Sequence, residues 1–324
     1  MKKVISIGEA LIDFIPNQKG CELKHVTGFE RVVGGAPANV SAVVAKLGGK
    51  SNFISKLGED AFGDHIIETL KDANVNTDYI LRTDKANTGL AFVSLKEDGN
   101  RDFSFYRNPS SDMLLEESEL KQEWFEDCYC LHFCSVDLIE CPMKNTHKKA
   151  IEYALQNKSI ISFDPNVRLP LWDSEESCRE AILEFLPLAH IVKISDEELE
   201  FITGYNNIDE AKTVLFNGNV KMILFTKGKD GAEIHTKDRI IEIPGHVVDV
   251  ADTTGAGDSF IGSFLFRILQ DSIDVNELDS ISDETLKEYL LFSNYYAANS
   301  TTKKGAIGSY ATLDEIKEYI NKLV

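Results

Sequence analysis

Two hydrophobic rhythms alternate along this chain. Short apolar runs rich in β-branched and aromatic residues predict strands at 4–7, 52–57, 129–133, 160–163, 191–194 and 222–226. Between them, apolar residues at helical spacing predict helices at 39–47, 62–73, 143–156, 175–185 and 197–203. Such alternation builds βαβ units around a largely parallel sheet. Runs such as MILFT and IISFD are short and almost wholly apolar, as strands buried on both faces must be. A longer run, FIGSFLFRIL from Phe260, predicts a buried helix.

Two stretches interrupt the rhythm. Residues 11–33 and 88–107 look extended and lack flanking helices, and in the second GLAFVSL and DFSFYR are joined through KEDGN, a hairpin-type turn. Together they predict a small β-sheet set apart from a core made of 1–10, 34–87 and 108–324. One face of such a sheet can act as a lid over a cleft, and the other can pair two copies into a homodimer.

Composition narrows the partners. The 324 residues carry 34 basic and 53 acidic side chains, a formal net charge of -19, with no basic run. A surface of that sign repels nucleic acid and anionic lipid, so neither is an expected partner. The amino-terminal MKKVISIGEALIDF has the flavour of a signal peptide, but Glu9 and Asp13 break its apolar segment. No apolar stretch reaches the roughly 18–20 residues that span a bilayer, so a cytoplasmic protein is expected. Six cysteines in a chain of this length make no disulfide framework. Those of CYCLHFCSVDL alternate as in a strand and form no CxxC pair, so they read as buried thiols rather than metal ligands.

The chemistry concentrates in DVADTTGAGDSF, from Asp249, directly before the buried-helix run. Glycines allow a tight turn and close backbone approach, threonines cap helices, and a helix N-terminus offers unpaired N–H groups and partial positive charge. That combination holds an anion. A carboxylate at Asp258, in the first helical turn, is costly beside an anion unless it serves as base for a hydroxyl attacking the bound group. Phosphoryl transfer to an alcohol requires that pairing. Neither GxxxxGK[ST] nor GxGxxG after the first strand is present, so a P-loop or dinucleotide site is not available.

With these residues in view, the chain resembles the ribokinase-like (PfkB) carbohydrate kinases. DTTGAGD looks like their carboxy-terminal signature and GGAPANV at 34–40 like their amino-terminal one. GEALIDF from Gly8, KLGEDAFGDHI from Lys56 and FDPNVRLPLW from Phe163 extend the likeness over nearly the whole chain, and FSFYRNPSSDMLL from Phe103 is most similar to the fructokinases. The resemblance implies a three-layer α/β/α sandwich with a small β lid, and transfer of the γ-phosphoryl group of ATP, with Mg²⁺, to the 6-hydroxyl of D-fructose. Another sugar kinase of the same scaffold, such as a 2-keto-3-deoxygluconate kinase or a ribokinase, is the nearest alternative. A non-catalytic sugar-binding regulator is a more distant one, since the GAGD loop is complete.

Roles implied by the resemblance fall residue by residue. Asp258 matches the general base, and the amides of Gly255, Ala256 and Gly257 match the anion hole. Asp13, Gly34, Gly35 and Asn39 match the sugar-contacting positions; Arg107 would reach the sugar from the lid, and Asn166 and Arg168 would lie near sugar and phosphate. Lys193 and Glu198 belong to KISDEELEFITG, where many relatives have Asn-x-x-Glu and this chain has Ser195 in place of the asparagine. Glu198 would act on Mg²⁺ through water. Thr226, Gly228, Gly231 and Asn294 match nucleotide positions. Asp252, Thr254, Ser300, Lys303, Gly305 and Ser309 match those around a monovalent cation, K⁺, bound largely by backbone carbonyls.

Overall fold

A computed structural model describes residues 2–18, 20–95 and 101–323. Strand β1 (Lys3–Ile7) lies near the middle of a nine-stranded sheet. On one side it pairs with β4 (Ser51–Gly58), followed by β5 (Ile80–Thr83). On the other it pairs with β8 (Cys128–Cys134), followed by β9 (Ile160–Asp164), β10 (Ile191–Ser195) and β11 (Met222–Thr226), all parallel. Two short antiparallel strands, β12 (Ala232–His235) and β13 (Ile240–Ile243), complete that edge. The hydrophobic pattern does not predict this pair: with four residues each, they carry too little periodicity to separate from a loop.

Alternation along the strands explains the layers. Val4, Cys130, Ile160, Ile191, Met222 and Leu224 face one cluster, while Ile5, Leu131, Ile161, Val192 and Ile223 face the other. The first face is covered by α1 (Ala36–Lys46), α7 (Ala256–Gln270) and α8 (Asp283–Thr301). The second is covered by α3 (Pro142–Gln156), α4 (Glu175–Phe185), α5 (Asp196–Thr203) and α6 (Ile208–Leu215). Helix α2 (Ala61–Asp72) closes the β4 end, its start held by Asp60, which accepts from the amides of Phe62 and Gly63 at 3.0 and 2.8 Å. Helix α9 (Leu313–Asn321) packs against α8 and contributes Ile316 to the same outer cluster as α2.

Helix α7 is apolar on all sides because it lies between the sheet, α1 and α8. Gly262 permits the approach to α1, since a Cβ there would stand 2.8 Å from Cβ of Val43. Among the described residues no helix is long and apolar enough to cross a membrane.

Strands β2 (Leu11–Pro16), β3 (Phe29–Gly34), β6 (Gly89–Leu95) and β7 (Arg101–Tyr106) form a separate sheet in the order β3-β2-β6-β7. The KEDGN turn expected between β6 and β7 lies outside the described residues. Because the chain leaves β1 toward β4 on one side and returns through β8 on the other, the carboxyl ends of β1 and β8 open a crevice. Ligands of doubly wound sheets collect at such a point.

Candidate active site

Over that crevice lies a cleft of about 780 Å³, walled by the carboxyl ends of the core strands, the start of α7 and the inner face of the small sheet. Asp13, Gly35, Asn39, Asn166, Arg168, Lys193, Glu198 and the segment from Thr253 to Asp258 all line it. Residues scattered through the sequence therefore meet in one place.

The sugar-side loop depends on two glycines. A Cβ on Gly34 would fall 2.1 Å from Oδ2 of Asp13, and one on Gly35, where φ is 107°, would fall 2.5 Å from the carbonyl oxygen of Glu9. Gly34 thus leaves room for the Asp13 carboxylate, and Gly35 lets the chain turn sharply into α1. Pro37 stands in the first turn of that helix, where its missing N–H costs nothing. The helix consequently starts at Ala36, three residues earlier than its apolar spacing predicts, and brings Asn39 into its opening turns.

Gly255 caps the start of α7, and its φ of 75° is a conformation glycine adopts without strain. Asp258 follows in the first turn, buried, and both its oxygens are held by amide side chains. Nδ2 of Asn39 donates to Oδ2 at 2.8 Å and Nδ2 of Asn166 donates to Oδ1 at 3.4 Å. Asn166 adopts φ 45°, a conformation that asparagine tolerates better than most residues. Burial raises the Asp258 carboxyl above its ordinary range, while the Asn39 donor and the charges of Lys193 and Arg168 pull it down. The amide of Ala256 donates to the carbonyl of Thr253 at 3.2 Å, so within the glycine loop this N–H is already engaged.

Lys193 is buried with Nζ 3.1 Å from Oδ2 of Asp164, and a Cβ on Gly257 would stand 3.1 Å from the same nitrogen. An ammonium group thus lies beside the N-terminus of α7. Burial lifts Asp164 to about 7 against the pull of Lys193. Glu198 accepts from the amide of Val167 at 2.7 Å and from the amide and hydroxyl of Ser195, both at 2.9 Å. Burial opposes its ionisation, but Lys193 and these donors prevail and hold it below its usual range. Arg168 lies exposed at the rim.

Other expected residues sit elsewhere. Arg107 does not line the cleft: its guanidinium is 2% exposed, and Nη2 donates to carboxylates of both Asp112 and Asp137. A charge expected to reach for sugar is instead spent on two buried carboxylates, because the strand end carrying it dives into the core. Thr226 ends β11, and Gly228 and Gly231 shape the turn into β12 with φ values of 52° and 108°. Asn294, on α8, donates to the carbonyl of Pro244 at 3.0 Å, so its amide ties the helix to the segment after β13. None of these four lines the cleft.

Around Asp252, hydrogen-bond donors converge on the carboxylate. Its Oδ1 accepts from the amide and hydroxyl of Thr254 at 3.0 and 2.7 Å, and Oδ2 accepts from the amide of Gly305 at 3.0 Å. Ser300 meets Ser259 of α7 at 3.1 Å, the Lys303 amide points to the Ser300 carbonyl at 3.4 Å, and Ser309 donates to the carbonyl of Ala306. A carboxylate among carbonyls and hydroxyls is an all-oxygen donor set, suited to a hard cation. Among the described residues no group of three or more His, Cys, Asp or Glu side chains gathers as a metal site. Mg²⁺ held mainly by substrate phosphates needs no such cluster.

Two buried carboxylates were not singled out by the sequence: Glu9, which lines the cleft, and Asp164, which pairs with the cleft residue Lys193. Glu9 was legible only as a charge interrupting an apolar segment, and Asp164 only as a carboxylate ending an apolar strand. The tendency of ligands to gather at the carboxyl ends of parallel strands would have selected both.

Known proteins resemble this chain in sequence and in fold. The pfkB family carbohydrate kinase profile matches residues 1–313. Fructokinase-2 of Zea mays is 44% identical over 322 residues, covering 98% of this chain and 94% of its own. The crystal structure of fructokinase with bound ATP from Xylella fastidiosa superimposes with a TM-score of 0.92 at 33% identity, covering 100% of this chain and 99% of that one. A fructokinase double mutant from Vibrio cholerae O395, solved in fructose, ADP and potassium ion bound form, gives 0.87 at 30% identity over 98% of each chain. With likeness of sequence and of fold running through both the glycine loop and the small sheet, the chain belongs to the pfkB family of carbohydrate kinases.

Proposed function

We propose that this protein is an ATP-dependent fructokinase that transfers the γ-phosphoryl group of ATP to the 6-hydroxyl of D-fructose. The observation that carries the mechanism is Asp258, buried in the first turn of α7 and oriented by Asn39 and Asn166. Its carboxylate takes the proton of the 6-hydroxyl as that oxygen bonds to the γ-phosphorus. The bond from the γ-phosphorus to the bridging oxygen breaks, and ADP leaves. Gly255, Ala256 and Gly257 present the helix N-terminus to the moving phosphoryl group, the Ala256 amide exchanging its Thr253 partner for the ligand. Lys193 and Arg168 add positive charge on the same side.

Asp13, Gly34, Gly35 and Asn39 hold the sugar, since carboxylate and amide groups pair well with vicinal hydroxyls. Thr226, Gly228, Gly231 and Asn294 flank the nucleotide. Mg²⁺ arriving with ATP would neutralise phosphate charge, and Glu198 would be the carboxylate that helps hold it. The small sheet, 11–33 and 88–107, closes over the cleft and excludes water that would otherwise compete with the sugar. The protein works in the cytoplasm.

Arg107 favours a neutral sugar over an acidic one. A substrate carboxylate would need an added positive group, and Arg107 is already committed to Asp112 and Asp137. Measuring kcat/KM with ATP over a panel of fructose, ribose, mannose and 2-keto-3-deoxygluconate tests the assignment. Fructose is expected to lead, and a preference for the acidic sugar would overturn it.

K⁺ would be held beside the anion hole by Asp252 and the carbonyls of Thr254, Ser300, Lys303, Gly305 and Ser309. The potassium ion in the Vibrio cholerae relative supports this reading. Exchanging K⁺ for tetramethylammonium at constant ionic strength should lower kcat, and an unchanged rate would leave Asp252 a purely structural residue.

A further inference from the structure

Behind the sugar loop lies a buried charge cluster that the mechanism above does not use. Arg107, at the end of lid strand β7, meets Asp112 from the turn that follows and Asp137 from the loop after β8. All three are buried, and Glu9, 3% exposed, lies within the field of Arg107 and Asp112. Burial pushes Glu9 up to about 7 against the pull of Arg107, and it lifts Asp137 well above the carboxylate range.

The cluster abuts the reacting centre through one short path. Oε1 of Glu9 accepts from the amide of Ala36 at 2.9 Å, at the N-terminus of α1. The Glu9 carbonyl packs against Gly35, and Asn39 of the same helix donates to Asp258. Glu9 itself lines the cleft, as does Val136 beside Asp137. Burying three carboxylates around one guanidinium carries a large desolvation cost, and an apolar cluster of similar volume often folds as well or better. Stability alone is therefore a poor account of it.

We propose that Glu9 and Arg107 are positioning residues for the sugar subsite, Glu9 fixing the start of α1 through the Ala36 amide and Arg107 tying the loop after β8 to the end of the lid strand through Asp112 and Asp137. Neither transfers a proton to the substrate. Removing Glu9 lets the Gly35–Asn39 segment drift from the sugar, and weakening Arg107 lets the end of the lid strand and the loop after β8 drift over it, while Thr226, Gly228, Gly231 and Asn294, which do not line the cleft, stay in place.

The inference rests on the sugar-kinase reading, and steady-state kinetics of the full-length chain can separate the two. Wild-type turnover across the acceptor panel tests the reading itself, and the acceptor it prefers is then the varied substrate. Glu9→Ala should raise the sugar KM about tenfold or more, with the ATP KM within about twofold. Glu9→Gln retains an acceptor for the Ala36 amide and should recover most of that loss. Arg107→Lys, which cannot bridge both aspartates in the same way, should raise the sugar KM in the same direction. Should Glu9→Ala fail to fold, the near-isosteric Gln variant and Arg107→Lys decide: a raised sugar KM for Arg107→Lys alone supports the link. A sugar KM unchanged in all soluble variants, or sugar and ATP KM values rising together, would overturn it.

Discussion

Burial pushes the carboxyl of Asp258 above its ordinary range, yet a general base must be ionised to act. Asn39, Lys193 and Arg168 work against burial and favour the ionised form. Asp258→Asn should lower kcat by about a thousandfold or more, with binding of sugar and ATP changing by less than about threefold. Single-turnover kinetics and equilibrium titration check this, and near-normal turnover would remove the general-base role. The sign of the pH dependence follows: the protonated form is inactive, so kcat/KM rises with pH through a midpoint above that of an unperturbed aspartate. Asp258 was legible from its company in GAGD. Its two amide partners, 219 and 92 positions away in sequence, were not legible as its partners, because only the fold brings them to it.

At the scale of elements, the turn into α7 shows how little tolerance the site has. A Cβ on Gly255 would stand 2.2 Å from the Tyr310 hydroxyl, and φ there is 75°. Gly255→Ala should cost about 1–3 kcal/mol in urea denaturation and reduce kcat, because the strain falls on the helix start that receives the phosphoryl group. Gly308→Ala is the control: nothing lies within 4 Å of its added carbon, and a change below about 0.5 kcal/mol is expected. Elements with strong periodicity and buried faces, such as β11 and α4, were readable in the sequence within a residue or so of their ends. The start of α1 was not, since Ala36 and Pro37 carry no helical periodicity and are helical because Glu9 receives the Ala36 amide.

For the whole molecule, the small sheet is two-sided. Its inner face contributes Leu11, Asp13, Ile15, Val93 and Phe105 to the cleft. On its outer face Phe14 stacks on Phe92 at 4.6 Å, Phe29 and Tyr106 pack edge-on around them, and Tyr106 remains 64% exposed. Phe62 of α2 covers Phe14 from one side, which leaves Tyr106 as the exposed aromatic of this face and the natural anchor for pairing two copies. We expect a homodimer through this face in sedimentation equilibrium, shifted toward monomer by Tyr106→Asp. Each copy carries a formal charge of -19, so raising salt should tighten the dimer by screening repulsion. A monomer at all salt concentrations would retire the interface.

The sequence by itself determined the layer plan and the chemistry of the glycine loop, because hydrophobic period, turn residues and helix-terminus charge act locally along the chain. It also separated the extended stretches from the βαβ units, since neither stretch is interleaved with helices. Only the tertiary structure decided which charges face the ligand. Arg107 lies one residue past the lid strand, yet its guanidinium turns into the core because Asp112 and Asp137 wait there. Glu9, a charge in an apolar segment, became a cleft residue because β1 ends beside β8. A side chain's partners are set by long-range packing, and the same arginine or glutamate reads alike in sequence whether it is bound by substrate or by its own protein.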